Sequence, residues 1–320
     1  MRPRVLCMVD LILVPEARRL LEQSSDVVFE TPSRQTLLDR IHEFDALWSH
    51  IDLRIDAAVL RRARRLRVIS CAATGTDHID LGAAQRQGVR ILSIARDYGL
   101  LKTFSATAEL SWLLGLACCR FFRAATGSVL AGEWDSSGLR GEQLLGRTLG
   151  VLGVGRLGSM TVEYGKAFGM RVLACDLKPF SIAGVTAVDF TSLLRESDIL
   201  HIHVHMTPQN YHLFNADTLA RMKDGAVLIN TSRGDVIDER ALIEALKSKK
   251  LKAFGADVLH DEWREFMGDS PMVQYAREHD NVILTPHIGG VTTKSFVDAR
   301  LFTARKLVHY LETGEELTME

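Results

Sequence analysis

Between residues 4 and 92 the chain alternates short, unbroken apolar runs with segments of helical period. The runs over 5–9, 27–29, 46–48, 68–71 and 89–92 predict strands, and segments such as 15–21 and 57–65 predict helices between them. Apolar runs without polar alternation suit strands covered on both faces, so the pattern predicts a parallel sheet with helices on each side. A helix is expected from 107 to about 122, with Leu110, Leu113, Leu114 and Ala117 on its buried face, and a polar, glycine-bearing stretch follows over 128–146. The alternation then resumes, with strands expected over 149–152, 171–175, 199–204, 226–230, 252–256 and 282–285. The terminal segment 295–311 is amphipathic at helical period and is expected to leave this second sheet and return to the first domain. The reading is of two doubly wound α/β domains, with boundaries near residues 100 and 290.

Composition narrows this little. A chain of 320 residues is long enough for two domains that each bury a core. At 47% hydrophobic, 25% charged and a formal net charge of −1, it has no bulk electrostatic attraction for nucleic acid or an anionic membrane surface. The N-terminal apolar run is too short for a signal peptide, and no apolar stretch approaches the about 18 residues of a membrane span, so the cytoplasm is the expected location. Cys7, Cys71, Cys118, Cys119 and Cys175 show no metal spacing and read as small reduced residues; no disulfide or metal is expected.

The chemistry centres on Leu149-Gly150-Val151-Leu152-Gly153-Val154-Gly155-Arg156-Leu157-Gly158. An apolar strand runs into a helix over about 156–168 through a glycine turn. Gly153 permits the turn, Gly155 lets backbone approach phosphates, and Gly158 lets the helix pack on its strand with its N–H groups facing an anion. The next strand delivers Asp176, placed to accept hydrogen bonds from ribose hydroxyls and to repel a 2′-phosphate, which favours NAD over NADP.

Three further stretches end strands of the same sheet. Asn230-Thr231-Ser232-Arg233-Gly234-Asp235 offers a guanidinium that could grip a carboxylate and polarise a carbonyl, or simply form a surface ion pair. Ala256-Asp257-Val258-Leu259-His260-Asp261-Glu262 is acidic, and Thr285-Pro286-His287-Ile288-Gly289-Gly290 carries a histidine. A histidine, an acid to orient it and an arginine are the parts that hydride transfer to a 2-keto acid requires. Earlier in the chain, the loop over 72–77 follows a strand's carboxyl end, where open α/β sheets bind ligands; it could equally be a plain turn capped by Thr76 or Asp77.

Taken in order, these motifs resemble the D-isomer-specific 2-hydroxyacid dehydrogenases, the family of phosphoglycerate dehydrogenase and the glyoxylate and hydroxypyruvate reductases. The resemblance covers nearly the whole length: Ala-Thr-Gly-Thr-Asp at 73–77, Ala108-Glu109 opening a helix, the dinucleotide turn, 230–234, Asp257-Val258 followed by Glu262, and 285–287. It implies a Rossmann NAD-binding domain, 101–289, inserted into a flavodoxin-like substrate domain formed by 1–100 plus 290–320. It implies His287 as acid/base, Glu262 as its orienting partner and Arg233 as the substrate-holding cation. The backbone of Thr74, Gly75 and Thr76 would receive the substrate carboxylate, with Thr74 also near the cofactor. Arg156 and Leu157 would cover the pyrophosphate, and Thr207 would sit beside the adenosine half. Thr231, Ser232, Arg233, Asp257, His287 and Gly290 would line the nicotinamide half. A homodimer through 107–146 is expected. An NAD(H)-sensing, corepressor-like protein on the same fold is the alternative, and a methyltransferase would leave Arg233, Glu262 and His287 without a role.

Some positions depart from the family pattern. Cys71 stands where many relatives carry arginine, which counts against a phosphorylated or dicarboxylate substrate such as phosphoglycerate. Trp263 replaces the proline after the glutamate, and 98–107 is longer than usual. Asp261 and Glu265 compete with Glu262, though spacing from Asp257 favours Glu262. His201, His203 and His205 alternate along one strand and share a face; this spacing could hold a metal, but packing or solvation is the expected reading, as for His78, His212 and His260.

Overall fold

The computed structural model describes residues 2–263 and 266–320, which form two compact units: 2–104 with 291–320, and 105–263 with 266–290. The first unit holds a five-stranded parallel sheet of β1 (Arg4–Cys7), β2 (Asp26–Phe29), β3 (Ala46–Trp48), β4 (Val68–Cys71) and β5 (Arg90–Ser93), in the order β2-β1-β3-β4-β5. Every residue of β3 and β4 is buried, as unbroken apolar runs require when helices cover both faces. One face packs Leu6, Met8, Leu47 and Ile69 against Val59 and Leu60. The other packs Val5, Cys7, Trp48 and Val68 against Leu21 and the terminal helix Thr293–Thr313 through Ala304 and Leu307. That helix is held by a buried charge: Lys306 Nζ donates to Asp97 Oδ2 at 2.8 Å and to Ser93 O at 2.9 Å.

The helix after the 72–77 loop begins later than expected. Its cap is Asp80, whose carboxylate accepts from Ala83 N at 2.8 Å, so neither Thr76 nor Asp77 caps it. The loop is therefore longer than a plain strand-to-helix turn.

The second unit is a seven-stranded parallel sheet in the order β12-β11-β10-β9-β6-β7-β8. Its strands are β6 (Thr148–Leu152), β7 (Arg171–Cys175), β8 (Val185–Ala187), β9 (Ile199–Ile202), β10 (Ala226–Asn230), β11 (Leu251–Ala256) and β12 (Val282–Leu284). Chain order runs outward from β6 in one direction and then from β9 in the other, so the crevice between them is the topological switch point. β8 has no counterpart in the sequence reading: it is a short edge strand with mostly exposed side chains, and so lacks an apolar signature. Side chains such as Leu228 and Phe254 are fully or almost fully buried, each contributing roughly 1.5–3 kcal/mol.

The helix expected over 107–122 is Ala106–Cys119; Phe121 then takes φ 50°, and a second helix, Phe122–Leu130, follows. Leu113 is 57% exposed, contrary to the expected buried face. Leu114 and Ala117 are buried and Leu110 is half-buried, as expected, and the buried face is wider than expected, taking in Ser111, Trp112, Gly115 and Cys118, because this helix is gripped from two sides. Trp112 stacks edge-on against Tyr164 and Phe168, while Gly115 leaves just the room that the His201 ring needs.

The histidine row is accounted for by packing. His201 Nδ1 lies 2.8 Å from Ser111 Oγ, His203 Nε2 lies 2.9 Å from Thr161 Oγ1, and the two rings stack. His205 lies beyond the strand and is exposed. The cysteines are free, and burial pushes Cys7 up to about 12 and Cys71 and Cys119 up to about 11, so these are inert thiols.

Candidate active site

Each glycine of the 153–158 turn answers a different constraint. Gly153 takes φ 89°, and a Cβ on it would stand 2.6 Å from His203 O. A Cβ on Gly158 would stand 1.9 Å from Gly153 O, so helix and turn meet only through glycine. Gly155 faces open space, and it begins the helix Arg156–Ala167 with no side chain capping the first N–H groups. A helix N-terminus left uncapped beside an open backbone is suited to a pyrophosphate. Arg156 and Leu157 are half-buried in the first turn, and burial holds the Arg156 pKa below the ordinary guanidinium range.

Asp176 sits at the end of β7, where Oδ2 accepts from Val154 N at 2.6 Å and Oδ1 from Lys178 N at 2.9 Å. It thus ties the glycine turn to the neighbouring strand. Thr207 opens the short turn Pro208–Asn210 in a reciprocal cap with Asn210 and is exposed.

At the end of β10, Asn230 organises the arginine turn. Its Oδ1 accepts from Ser232 N at 3.0 Å and Ser232 Oγ at 2.8 Å, while its Nδ2 donates to Arg233 O at 2.9 Å. A Cβ on Gly234 would fall 2.0 Å from the Leu259 carbonyl carbon, so this turn can cross the loop after β11 only at glycine. Arg233 is half-buried, donates from Nη1 to Ser232 O at 2.7 Å, and its charge reaches His287. Thr231 is buried, and its Oγ1 has no hydrogen-bond partner among the described residues.

Asp257, 2% exposed, holds the loop that carries the histidine. Its Oδ1 accepts from Thr285 Oγ1 at 2.5 Å and Ile288 N at 2.8 Å, and its Oδ2 accepts from Gly289 N at 2.7 Å. Burial raises its pKa, with those hydrogen bonds opposing. The carboxylate expected to line the nicotinamide half is therefore turned toward residues 285–289.

His287 adopts φ 54°, a conformation uncommon for a non-glycine residue, and its Nδ1 lies 2.8 Å from Glu262 Oε1. The carboxylate hydrogen bond raises the histidine pKa; burial and the Arg233 charge oppose it. Bonded at Nδ1, the ring leaves Nε2 to carry an exchangeable proton. Glu262 is thus the partner in place, whereas Asp261 is exposed and Glu265 lies outside the described residues. Trp263 is half-buried. Gly290 faces open space.

Of the expected substrate contacts, Thr74, Gly75 and Thr76 lie in the first unit, just past β4. Their backbone N–H groups donate to no acceptor among the described residues, leaving three successive donors open. The second unit brings together Arg233, Glu262 and His287 with the glycine turn at the carboxyl ends of one sheet.

Residues 112–289 match the sequence profile of the D-isomer specific 2-hydroxyacid dehydrogenase NAD-binding domain. The chain belongs to this family. It is an NAD-dependent oxidoreductase, and its second unit is the NAD-binding domain. It is 35% identical to a hydroxypyruvate reductase of Thermotoga maritima, over 88% of this chain and 90% of that one. It is likewise 35% identical to a glyoxylate reductase of Aeropyrum pernix, over 97% and 93%. Among solved structures, the D-lactate dehydrogenase of Aquifex aeolicus, complexed with NAD and lactic acid, aligns with a TM-score of 0.85 at 28% identity, covering 97% of this chain and 96% of that one.

Membership of the dehydrogenase family makes sense of contacts that reading by motif had left without a role. Asn230 and Thr285 lay inside the quoted motifs, yet only the fold shows that one shapes the arginine turn and the other helps Asp257 hold the histidine loop. A buried polar side chain at a strand end was the available signal, since such a group persists only with hydrogen bonds.

Proposed function

We propose that this protein interconverts a short 2-keto acid and the corresponding D-2-hydroxy acid, with His287 as acid/base, Glu262 as its positioning partner and Arg233 as the substrate cation. The observation that carries the reading is the Glu262–His287 hydrogen bond on a strained loop in the field of Arg233. The names of the similar reductases make glyoxylate and hydroxypyruvate the first acids to try.

The residues fit NAD. The open face of Gly155 and the uncapped helix suit the pyrophosphate, Asp176 the ribose, and the unpartnered Thr231 Oγ1 a polar group of the nicotinamide. When bound, the dinucleotide supplies or accepts the hydride. In reduction, protonated His287 gives its Nε2 proton to the keto oxygen as that oxygen gains negative charge. Glu262 holds the ring in the tautomer this needs and favours its charged form. The Arg233 fork pairs with the carboxylate and polarises the carbonyl. In oxidation, neutral His287 takes the hydroxyl proton back. Thr74, Gly75 and Thr76 offer N–H donors for the carboxylate, a role that rests on the family resemblance.

We further propose a homodimer through 107–146, where Phe122, Val129, Leu130 and Trp134 are exposed apolar side chains; leaving so much apolar surface in water is unfavourable. Nothing in the geometry favours the NAD(H)-sensing alternative.

A panel of 2-keto acids assayed with NADH and with NADPH tests the reaction. We expect NADH-dependent reduction of at least one short acid, weak use of NADPH, and loss of turnover by about 10²–10⁴-fold in His287→Asn with NADH binding kept. Full activity in that variant would move the acid/base elsewhere.

A further inference from the structure

The terminal helix Thr293–Thr313 carries a cation that no described residue of its own unit pairs directly. Arg300 is half-buried, and its guanidinium lies 3.3 Å from the centroid of the Phe296 ring, one turn earlier. Its Nε is buried without a hydrogen-bond partner, and it enters no ion pair among the described residues. Neighbouring helix residues fix where it lies. Phe296 and Val297 pack on the apolar cluster of Cys7, Val9 and Trp48, while Ala72 packs on the cluster of Ala299 and Phe302. Arg300 is thereby set beside the carboxyl ends of β1 and β4, and its charge is felt at Cys7, Cys71 and Asp10.

Other buried polar atoms in the same layer also lack partners: Trp48 Nε1, Ser70 Oγ and Thr303 Oγ1. Trp48 and Ser70 are register partners on β3 and β4, and Thr303 lies one turn beyond Arg300. The indole and guanidinium nitrogens can only donate and the two hydroxyls can donate or accept, so an added acceptor is the one kind of group that suits all of them. A half-buried cation with no carboxylate in direct contact, and only the more distant Asp10 charge to offset it, is unfavourable, and an anion bound against it would relieve it. Just past β4 stand the open N–H groups of Thr74, Gly75 and Thr76. Cys71, at the strand end itself, is a neutral thiol and brings no charge.

We propose that Arg300 is the cationic member of a carboxylate site at the carboxyl end of β4, where it acts with the Thr74, Gly75 and Thr76 N–H groups to hold the carboxylate of the keto acid. Arg300 is then a substrate-binding residue supplied by the returning terminal helix, and it provides the charge that Cys71 does not. The proposal rests on the reading that the protein acts on 2-keto acids.

The test compares the unaltered protein with Arg300→Met and Arg300→Lys, using glyoxylate and pyruvate with NADH, and oxalate as a carboxylate that does not react. The Met variant should raise KM for the acid turned over by about tenfold or more, with NADH affinity unchanged, and should lose the rise in Tm that oxalate gives the unaltered protein. The Lys variant should fall between, because it keeps the charge but loses the planar fork; it also carries the test if the Met variant fails to fold. Unchanged KM and unchanged oxalate protection would overturn the proposal. So would a lower Tm with KM intact, which would mean that ordered water satisfies these donors. If the unaltered protein reduces none of the acids, yet oxalate protection still depends on Arg300, the reaction reading fails while the anion site stands.

Discussion

Glu262 Oε1 stands 2.8 Å from Nδ1 of His287, and the two residues come from loops that follow different strands, β11 and β12. The hydrogen bond is the first cause of the raised histidine pKa. Its consequence is a proton that stays on the ring to higher pH than on a free imidazole, which is what reduction of a keto group near neutrality needs.

Glu262→Gln keeps a hydrogen-bonding oxygen but removes the charge. A hydrogen bond to a charged group contributes about 1.5–3 kcal/mol, which is roughly one to two pH units. The pH above which reductive kcat/KM falls should therefore move down by that amount, and the oxidative limb should move the same way. Profiles that superimpose with those of the unaltered protein would remove Glu262 from the role.

Arg233→Lys should raise KM for the keto acid and lower kcat together, since the fork contacts substrate in both ground and transition states. NADH affinity should change far less. A variant that loses only NADH affinity would place Arg233 on the cofactor.

Asp257→Ala would leave the Ile288 and Gly289 N–H groups without their acceptor and the Thr285 hydroxyl with only the Ala256 carbonyl at 3.5 Å. Unmet buried donors cost about 1–3 kcal/mol each before relaxation or water entry, so Tm should fall. kcat should drop more than NADH affinity, because the backbone that holds His287 at φ 54° is loosened. Measured together, calorimetry and single-turnover kinetics check both effects.

Acid stability should be lost well above the carboxylate range. Burial pushes His203 and His78 down to about 4 from 6.5. The unfolded chain takes up these protons near pH 6.5 and the folded one only near 4, so the contribution is complete above pH 6.5 and drains as pH falls toward 4. It is on the order of 3 kcal/mol per histidine. His287, with its raised pKa, runs the other way: its smaller contribution is present below pH 6.5 and fades as pH rises. Urea unfolding at pH 7 and pH 5 should show the fall, and His203→Gln should flatten part of it. Equal stability at both values would contradict the burial argument.

Much of this site is legible in the sequence. Strands such as Ala46–Trp48, Arg171–Cys175 and Ala226–Asn230 match the expected bounds because each is built on an apolar run, the local mark of a strand covered on both faces, even where a polar residue such as Arg171 or Asn230 stands at its end. Gly153, Gly155, Gly158 and Asp176 could be placed because a strand, a tight turn and a helix are contiguous in the chain. Contacts between distant segments could not be read in this way. The wider buried face of the helix Ala106–Cys119 depends on Tyr164, Phe168 and His201, which converge on the helix from elsewhere in the chain. Likewise β8 depends on pairing with β7, and the cap at Asp80 on where the loop after β4 ends. The chain's own pattern determined which residue types stand at each strand end. Tertiary structure alone decided that Asp257 grips the histidine loop, that Glu262 meets His287, and that the buried Nε of Arg300 has no hydrogen-bond partner among the described residues, because hydrogen bonds and burial are set by neighbours in space rather than along the chain.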